Sequence, residues 1–322
     1  MAAAALDEFG RIARFFAPLA AGFPGALGLT DDAALVAPGA GREFVVTTDA
    51  LVADVHFRSI DPPDLIARKA LRVNLSDLAA MGAAPVCYTL ATILPESCGE
   101  AWLSAFVRGL AADQAEFGIV LAGGDSVRTP GPATLSVTAI GSVETGRALR
   151  RSGARPGDRV YVSGTIGDGA LGLAVLAGRL ADDSDGTLAG RYLLPQPRLG
   201  LGQALVGRAS AALDVSDGLV ADLGHIAATS GGRIVIDSER VPLSPAARAA
   251  LAADPRLMET ILTGGDDYEL AFTAADALPD AIAGVPVACI GRVEAGSGVA
   301  VLDREGRPVT LFAGGYRHFQ AT

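Results

Sequence analysis

Apolar and polar positions fall into blocks along this chain, and the blocks alternate in period. Residues 43–52 (EFVVTTDALV) read as a strand that carries Asp49 near its end. Residues 61–82 read as a helix. Pro62 and Pro63 sit at its start, Leu71, Leu75 and Leu78 share one face, and Gly82 stands where a C-terminal cap belongs. Residues 86–94 read as a strand and 99–118 as a second long helix, with Gly118 just past its end. Residues 119–126 (IVLAGGDS) read as a short strand running into a Gly-Gly-Asp turn, and 134–143 as a further strand.

The stretch RSGARPGDR (151–159) is the best candidate for a boundary, because it is rich in Gly, Pro and Arg and follows a complete α/β set. A similar series comes after it. RVYVSG reads as a strand, GALGLAVLAG as a helix, ALDVSDG as a strand and turn, LVADLGHIAATSG as a helix and RIVID as a strand. Residues 259–273 read as a helix end, a turn and a strand. The fold class is therefore α+β. Two α/β halves are expected, 1–150 with a mixed sheet and 151–322 with a sandwich-like arrangement. Gly-Gly-Asp occurs once in each half, at 123–125 and 264–266, a weak hint of related architecture.

Composition narrows the picture. Half the residues are hydrophobic and 19% are charged, as in a folded protein. The net charge of −10 argues against general binding to nucleic acid or anionic membranes. The three cysteines form no paired motif, which suits a reducing cytoplasm. No basic start precedes an apolar block, and no run of about 20 apolar residues exists to span a membrane. Lys69 is the only lysine, so a G-x-x-x-x-G-K-[ST] phosphate loop is excluded. No H-R-D occurs, and Cys and His are too sparse for a zinc site.

Aspartates remain, at strand ends and turns: Asp31, Asp32, Asp49, Asp77, Asp125, Asp214, Asp217, Asp266 and Asp267. Singly, each is an ordinary turn or cap residue, and Asp217 before Gly218 suits a helix cap. Asp77 sits within a helix among Leu75, Leu78 and Met81, and Asp214 ends an apolar strand. A buried carboxylate without a partner is costly, so both point to a bound cation. Oxygen-only donors suit Mg²⁺ carrying phosphates.

The ordered stretches DDAAL (31–35), TTDALVADVHF (47–57), KALRVNLSDLAAMGAAP (69–85), AGGDS (122–126), GRALRRSGARPGD (146–158), LDVSDGLVADLGHIA (213–227), GGDDYELAFT (264–273) and GGYRHF (314–319) carry a family resemblance. The chain resembles the thiamine-monophosphate kinases of the aminoimidazole ribonucleotide synthetase-like superfamily. The resemblance implies ATP-dependent phosphorylation of thiamine monophosphate to thiamine diphosphate with several Mg²⁺ ions. It implies a homodimer joined through the N-terminal halves, with ATP at their interface. It makes Asp32, Thr47, Thr48, Asp49, Asp77, Asp125, Asp214 and Asp217 metal ligands. Gly124, Asp125, Arg151 and Ser216 would meet ATP, while His56, Asp266 and the aromatic Tyr316 would meet the thiamine phosphate. No residue is assigned as a general base. Two positions depart from the family pattern: Thr30 stands where Gly is usual, and Asp266 where Glu is usual.

Overall fold

The computed structural model describes residues 8–30, 33–181, 185–311 and 315. They form two compact units, the first from residues up to 78 together with 84–146, the second from 79–83 and 147 onward.

In the first unit, short helical turns including α1 (Glu8–Arg11) and α2 (Ala17–Ala20) precede strand β1 (Arg42–Val52). Helix α3 (Pro63–Ala80), β2 (Ala84–Leu94), α4 (Glu100–Phe117), β3 (Val120–Arg128) and β4 (Thr134–Glu144) follow. The sheet order is β1-β4-β2-β3, antiparallel except for β2 and β3. Alternation along β1 and β4 separates two faces. Thr47, Asp49 and Leu51 align with the fully buried Ala139, Val137 and Leu135. This face meets the helices: Thr47 bonds Asp77 of α3, and Gln114 of α4 donates to the Tyr88 hydroxyl at 3.3 Å. Val46, Thr48 and Ala50 lie on the other face, which is open. Val46 is 63% exposed there and Val127 46%.

Gly118 ends α4 at φ 66, and Gly82 follows α3 at φ 70. Both adopt the left-handed conformation that a Cβ disfavours. The expected turn at 123–125 is not there. Gly123, Gly124 and Asp125 lie inside β3, past a register shift opposite Tyr88 and Thr89. A Cβ on Gly124 would sit 2.0 Å from the Leu90 carbonyl oxygen, so Gly124 serves close strand pairing rather than chain reversal. At 264–266 the same tripeptide lies in a loop, so its recurrence reflects no shared backbone setting.

The second unit runs β5 (Arg159–Ser163), α5 (Asp168–Leu176), α6 (Thr187–Leu193), α7 (Leu199–Leu205), β6 (Ala211–Val215) and α8 (Leu219–Ser230). It continues with β7 (Arg233–Asp237), α9 (Pro245–Ala253), α10 (Leu257–Thr263), β8 (Glu269–Ala274), β9 (Ala281–Ile282), β10 (Val285–Glu294) and β11 (Gly298–Leu302). The strand order is β11-β7-β10-β5-β8-β6, with β9 on β10. Val160, Val162, Leu213, Val215 and Ile236 of the sheet and Leu219, Leu223 and Ile226 of α8 share one buried core. Among the described residues no helix is long and apolar enough to cross a membrane.

Candidate functional site

Each unit presents a group of the expected residues. In the first, β1 and α3 bring Thr47, Asp49 and Asp77 together. The Thr47 hydroxyl donates to the Asp77 carboxylate in a short hydrogen bond. Burial, and next the negative charge of Asp77, push the Asp49 carboxyl up to about 6. The two acids thus repel, while the Thr47 hydroxyl holds the Asp77 carboxylate in place. Among the described residues no three His, Cys, Asp or Glu side chains form a ready-made cage. A pair of carboxylates is the donor set that suits Mg²⁺, which keeps waters and takes further oxygens from phosphates.

Thr48 and Asp125 stand elsewhere. Thr48 points to the open face, where its hydroxyl donates to the Val137 carbonyl at 3.0 Å and lies 2.8 Å from that of Thr138. Asp125 aligns through Ala91 and Ser136 with Ala50, on that same face and three strands from β1. Three strand spacings amount to about 14 Å. Gly124 and Asp125 also line a cavity of about 880 Å³, bounded by Phe16, Gly28 and Thr30 of the N-terminal turns. That size is within the range of small-molecule sites.

His56 sits in the tight turn between β1 and α3. Its Nδ1 accepts the Val52 N–H at 3.0 Å, so the ring is neutral with its proton on Nε2. Asp54 at φ 63 and its bond from Ser59 N–H at 2.9 Å hold the turn.

In the second unit the two acidic motifs are laid against each other. Asp214 is the penultimate residue of β6, and its main chain pairs with Leu270 of β8. The Asp266 N–H donates to the Ser216 carbonyl at 2.9 Å, and the Tyr268 N–H to Val215 at 2.8 Å. A Cβ on Gly265 would lie 2.2 Å from the Ser216 oxygen, so glycine is required for this approach. Asp266 stands at φ 71. Aspartate tolerates that region better than longer side chains do, which gives the departure from Glu a backbone rationale.

Asp217 does not cap α8. That task belongs to Asp222, one turn inside the helix, whose Oδ2 accepts the N–H groups of Ser216, Asp217 and Gly218 at 3.0, 3.0 and 3.1 Å. Asp222 therefore shapes the loop and leaves Asp217 and Ser216 to present their side chains. Arg151 is exposed, and its carbonyl accepts from Thr229 at 3.0 Å at the far end of α8. A helix of 12 residues is about 18 Å long, so Arg151 stands well away from Asp217. Asp32 and Tyr316 lie outside the described residues.

Sequence reasoning grouped Asp267 with the candidate cation donors and passed over Glu269, whereas both are buried acids that brace the second motif. Asp267 is 1% exposed and accepts from the N–H groups of Gly167 and Gly169 at 2.7 and 3.0 Å. Glu269 is fully buried and holds Arg191, Arg198 and Ser163. The spacing of Asp267 and Glu269 about one residue, at the entry to an apolar strand, was the available signal for one inward face.

These acids give a pH dependence. Burial raises Asp222 from 3.8 to about 7 and Asp267 from 3.8 to about 8, against the opposing effect of their N–H donors. Between those values the folded protein holds protons that the unfolded chain has released. The stabilisation is fully present below about 4 and is lost as pH rises through the folded-state values. Stability should therefore fall from pH 6 to pH 8, by on the order of 1 kcal/mol per pH unit for each group that is protonated only in the folded state, and level off by pH 9. Urea unfolding across that range measures it, and Asp267→Asn should flatten the slope. A wild-type profile that rises over the range would contradict the assignment.

Residues 30–143 match the family described as AIR synthase related protein, N-terminal domain, and residues 155–304 match its C-terminal domain. The chain is 46% identical to the thiamine-monophosphate kinase of Caulobacter vibrioides, over 98% of this chain and 92% of that protein. The crystal structure of thiamine-monophosphate kinase from Stenotrophomonas maltophilia K279a is similar at a TM-score of 0.79 and 45% identity, covering 87% of this chain and 90% of that one. The structure of AaThiL complexed with AMPPCP and TMP is similar at 0.78 and 34% identity, covering 90% and 91%.

Proposed function

This chain belongs to the thiamine-monophosphate kinase family of AIR synthase related proteins, and from that premise we propose that it phosphorylates thiamine monophosphate to thiamine diphosphate at the expense of ATP. The observation that carries the reading within this chain is the Asp49–Asp77 pair with its Thr47 hydroxyl, a crowded oxygen site that a cation would relieve.

Transfer is in line from ATP to a phosphate oxygen. That oxygen is largely ionised at neutral pH, since the second pKa of a phosphate monoester is about 6. No general base is needed, and none is assigned. Two phosphate groups at 4 Å repel by roughly 4 kcal/mol per unit-charge pair at an effective dielectric of about 20. Bound Mg²⁺, several ions on this reading, supplies the neutralisation.

Asp32, Thr47, Thr48, Asp49, Asp77, Asp125, Asp214 and Asp217 hold the metal. Gly124, Asp125, Ser216 and Arg151 meet ATP, and the cavity beside Gly124 supports that placement. His56 offers its Nε2 proton to the substrate phosphate, while Asp266 and Tyr316 face the cationic thiazolium. The protein works in the cytoplasm as a homodimer. The open face of the first unit, with Val46, Thr48 and Asp125 on it, supports this, because a second copy laid there brings in a second set of the same residues.

The test is to incubate purified protein with ATP, Mg²⁺ and thiamine monophosphate and to quantify thiamine diphosphate by chromatography. Magnesium-dependent product is expected, with none when unphosphorylated thiamine replaces the monophosphate. Absence of product from protein that binds Mg-ATP would sink the reading.

A further inference from the structure

The loop 264–268 is gripped from two sides. On one side the N–H groups of Asp266 and Tyr268 donate to the carbonyls of Ser216 and Val215 at 2.9 and 2.8 Å. On the other, the Asp267 carboxyl enters the N-terminus of α5, where its two oxygens accept the Gly167 and Gly169 N–H groups at 2.7 and 3.0 Å. These N–H groups lie in the opening turn, where a helix supplies no acceptor of its own. Asp168, the first helical residue, does not serve them, because its oxygens accept from Thr165 and Ser244. Asp267 is thus the cap of α5, supplied from 100 residues along the chain. The Arg191 guanidinium holds it further by donating to its carbonyl at 3.2 Å.

Between these grips, both neighbours of Asp267 keep a strained backbone. Asp266 stands at φ 71 and Tyr268 at φ 51, in the left-handed region that residues other than glycine avoid. Such conformations persist only where the surroundings over-determine them. Helix α5 also meets Asp266 directly: a Cβ on Gly169 would lie 2.3 Å from the Asp266 carbonyl oxygen and 3.0 Å from its Cβ. An aspartate has one methylene between backbone and carboxyl. The backbone at 266 therefore decides where that carboxyl stands.

We infer that Asp267 is a positioning residue for Asp266. By capping α5 it fixes the backbone at 266, and so it sets the affinity for the cationic ring of thiamine monophosphate. This rests on the proposed substrate role of Asp266. Asp267 itself, at 1% exposed, does not meet the substrate.

The test is steady-state kinetics, each substrate varied in turn, on wild type, Asp267→Asn, Asp266→Ala and the double variant. In Asp267→Asn one carboxyl oxygen becomes an amide nitrogen, which cannot accept, so one N–H of α5 loses its partner. KM for thiamine monophosphate should rise about tenfold or more, while KM for Mg-ATP stays within about twofold. A merely structural loss would shrink the folded fraction, which lowers apparent turnover and leaves KM alone. In the Asp266→Ala background the same change should add less than about twofold, because the group it positions is gone. Gly169→Ala should reproduce the rise in KM, since its methyl group presses on Asp266 while alanine favours the helix. It decides the matter if Asp267→Asn does not fold. If Asp267→Asn lowers turnover alone, raises both KM values equally, or adds its full effect to Asp266→Ala, the inference is wrong and the kinase reading stands. If Asp266→Ala leaves KM for thiamine monophosphate unchanged, the substrate role of Asp266 fails and the inference falls with it. If wild type makes no thiamine diphosphate, the kinase reading itself fails, and the inference goes too.

Discussion

Asp77→Asn is expected to leave the protein folded and to lower turnover by about 10³-fold. The asparagine oxygen still accepts the Thr47 hydroxyl, so the local hydrogen bond survives. What disappears is one unit of negative charge. A charge pair at 4 Å is worth about 4 kcal/mol at an effective dielectric of about 20, and about 1.4 kcal/mol corresponds to a factor of ten in rate. The variant also carries a second signature. The charge of Asp77 is one cause of the raised Asp49 pKa, so its loss moves the Asp49 ionisation down from about 6 toward the ordinary 3.8. In the metal-free protein the Asp49 titration should shift to lower pH. Steady-state rates with saturating Mg-ATP, a urea midpoint and a carboxyl titration without metal check these parts. Activity within tenfold of wild type would place the metal elsewhere.

The largest loss of stability should come from Asp113→Asn, at about 3–5 kcal/mol. Asp113 is fully buried and accepts from Arg68 Nε at 2.7 Å and from Arg72 Nε and Nη2 at 2.8 and 2.9 Å. Arg72 is 1% exposed and stacks over the Phe117 ring at 4.9 Å. Neutralising Asp113 removes a full negative charge from beside a buried guanidinium that also meets the half-exposed Glu116 at 2.6 Å, and uncompensated buried charge is what makes such changes severe. The network joins α3 to α4 where the two backbones nearly touch: a Cβ on Gly109 would lie 2.2 Å from the Asp64 carbonyl oxygen. Glu96 and Arg128 make a useful contrast. Their side chains are 83% and 73% exposed, and Glu96→Ala should change stability by less than about 1 kcal/mol. Urea unfolding at neutral pH compares the two variants. Equal effects would mean that burial does not govern these ion pairs.

Much of the architecture is legible locally. Strand β1 and helices α3 and α4 follow from runs of apolar residues whose period matches their backbone, and Gly82 and Gly118 mark helix ends because they take a left-handed conformation. The family match rests on motifs in order, which are a property of the chain alone. Other elements are hidden by their length. The seven-residue α6 and α7 span only two turns, too few to show a clear period, and their burial comes from neighbours distant in sequence. The Gly-Gly-Asp at 123–125 looks like a turn because those residues favour turns, yet pairing with β2 draws it into a strand.

The acids divide the same way. That this chain relies on oxygen donors and lacks a phosphate-loop lysine follows from its residues without any fold. Which aspartate does what does not follow. Asp217 and Asp222 lie five positions apart in one motif, and only the packed loop makes Asp222 the brace and leaves Asp217 available. Thr47 and Thr48 are adjacent, and strand register sends one to Asp77 and the other to the open face. A strand reverses its side chains at every residue, so a single step of register decides which hydroxyl reaches the carboxylate. Residue type is local chemistry, whereas direction and burial are set by partners far along the chain, and they appear only when the sheet closes.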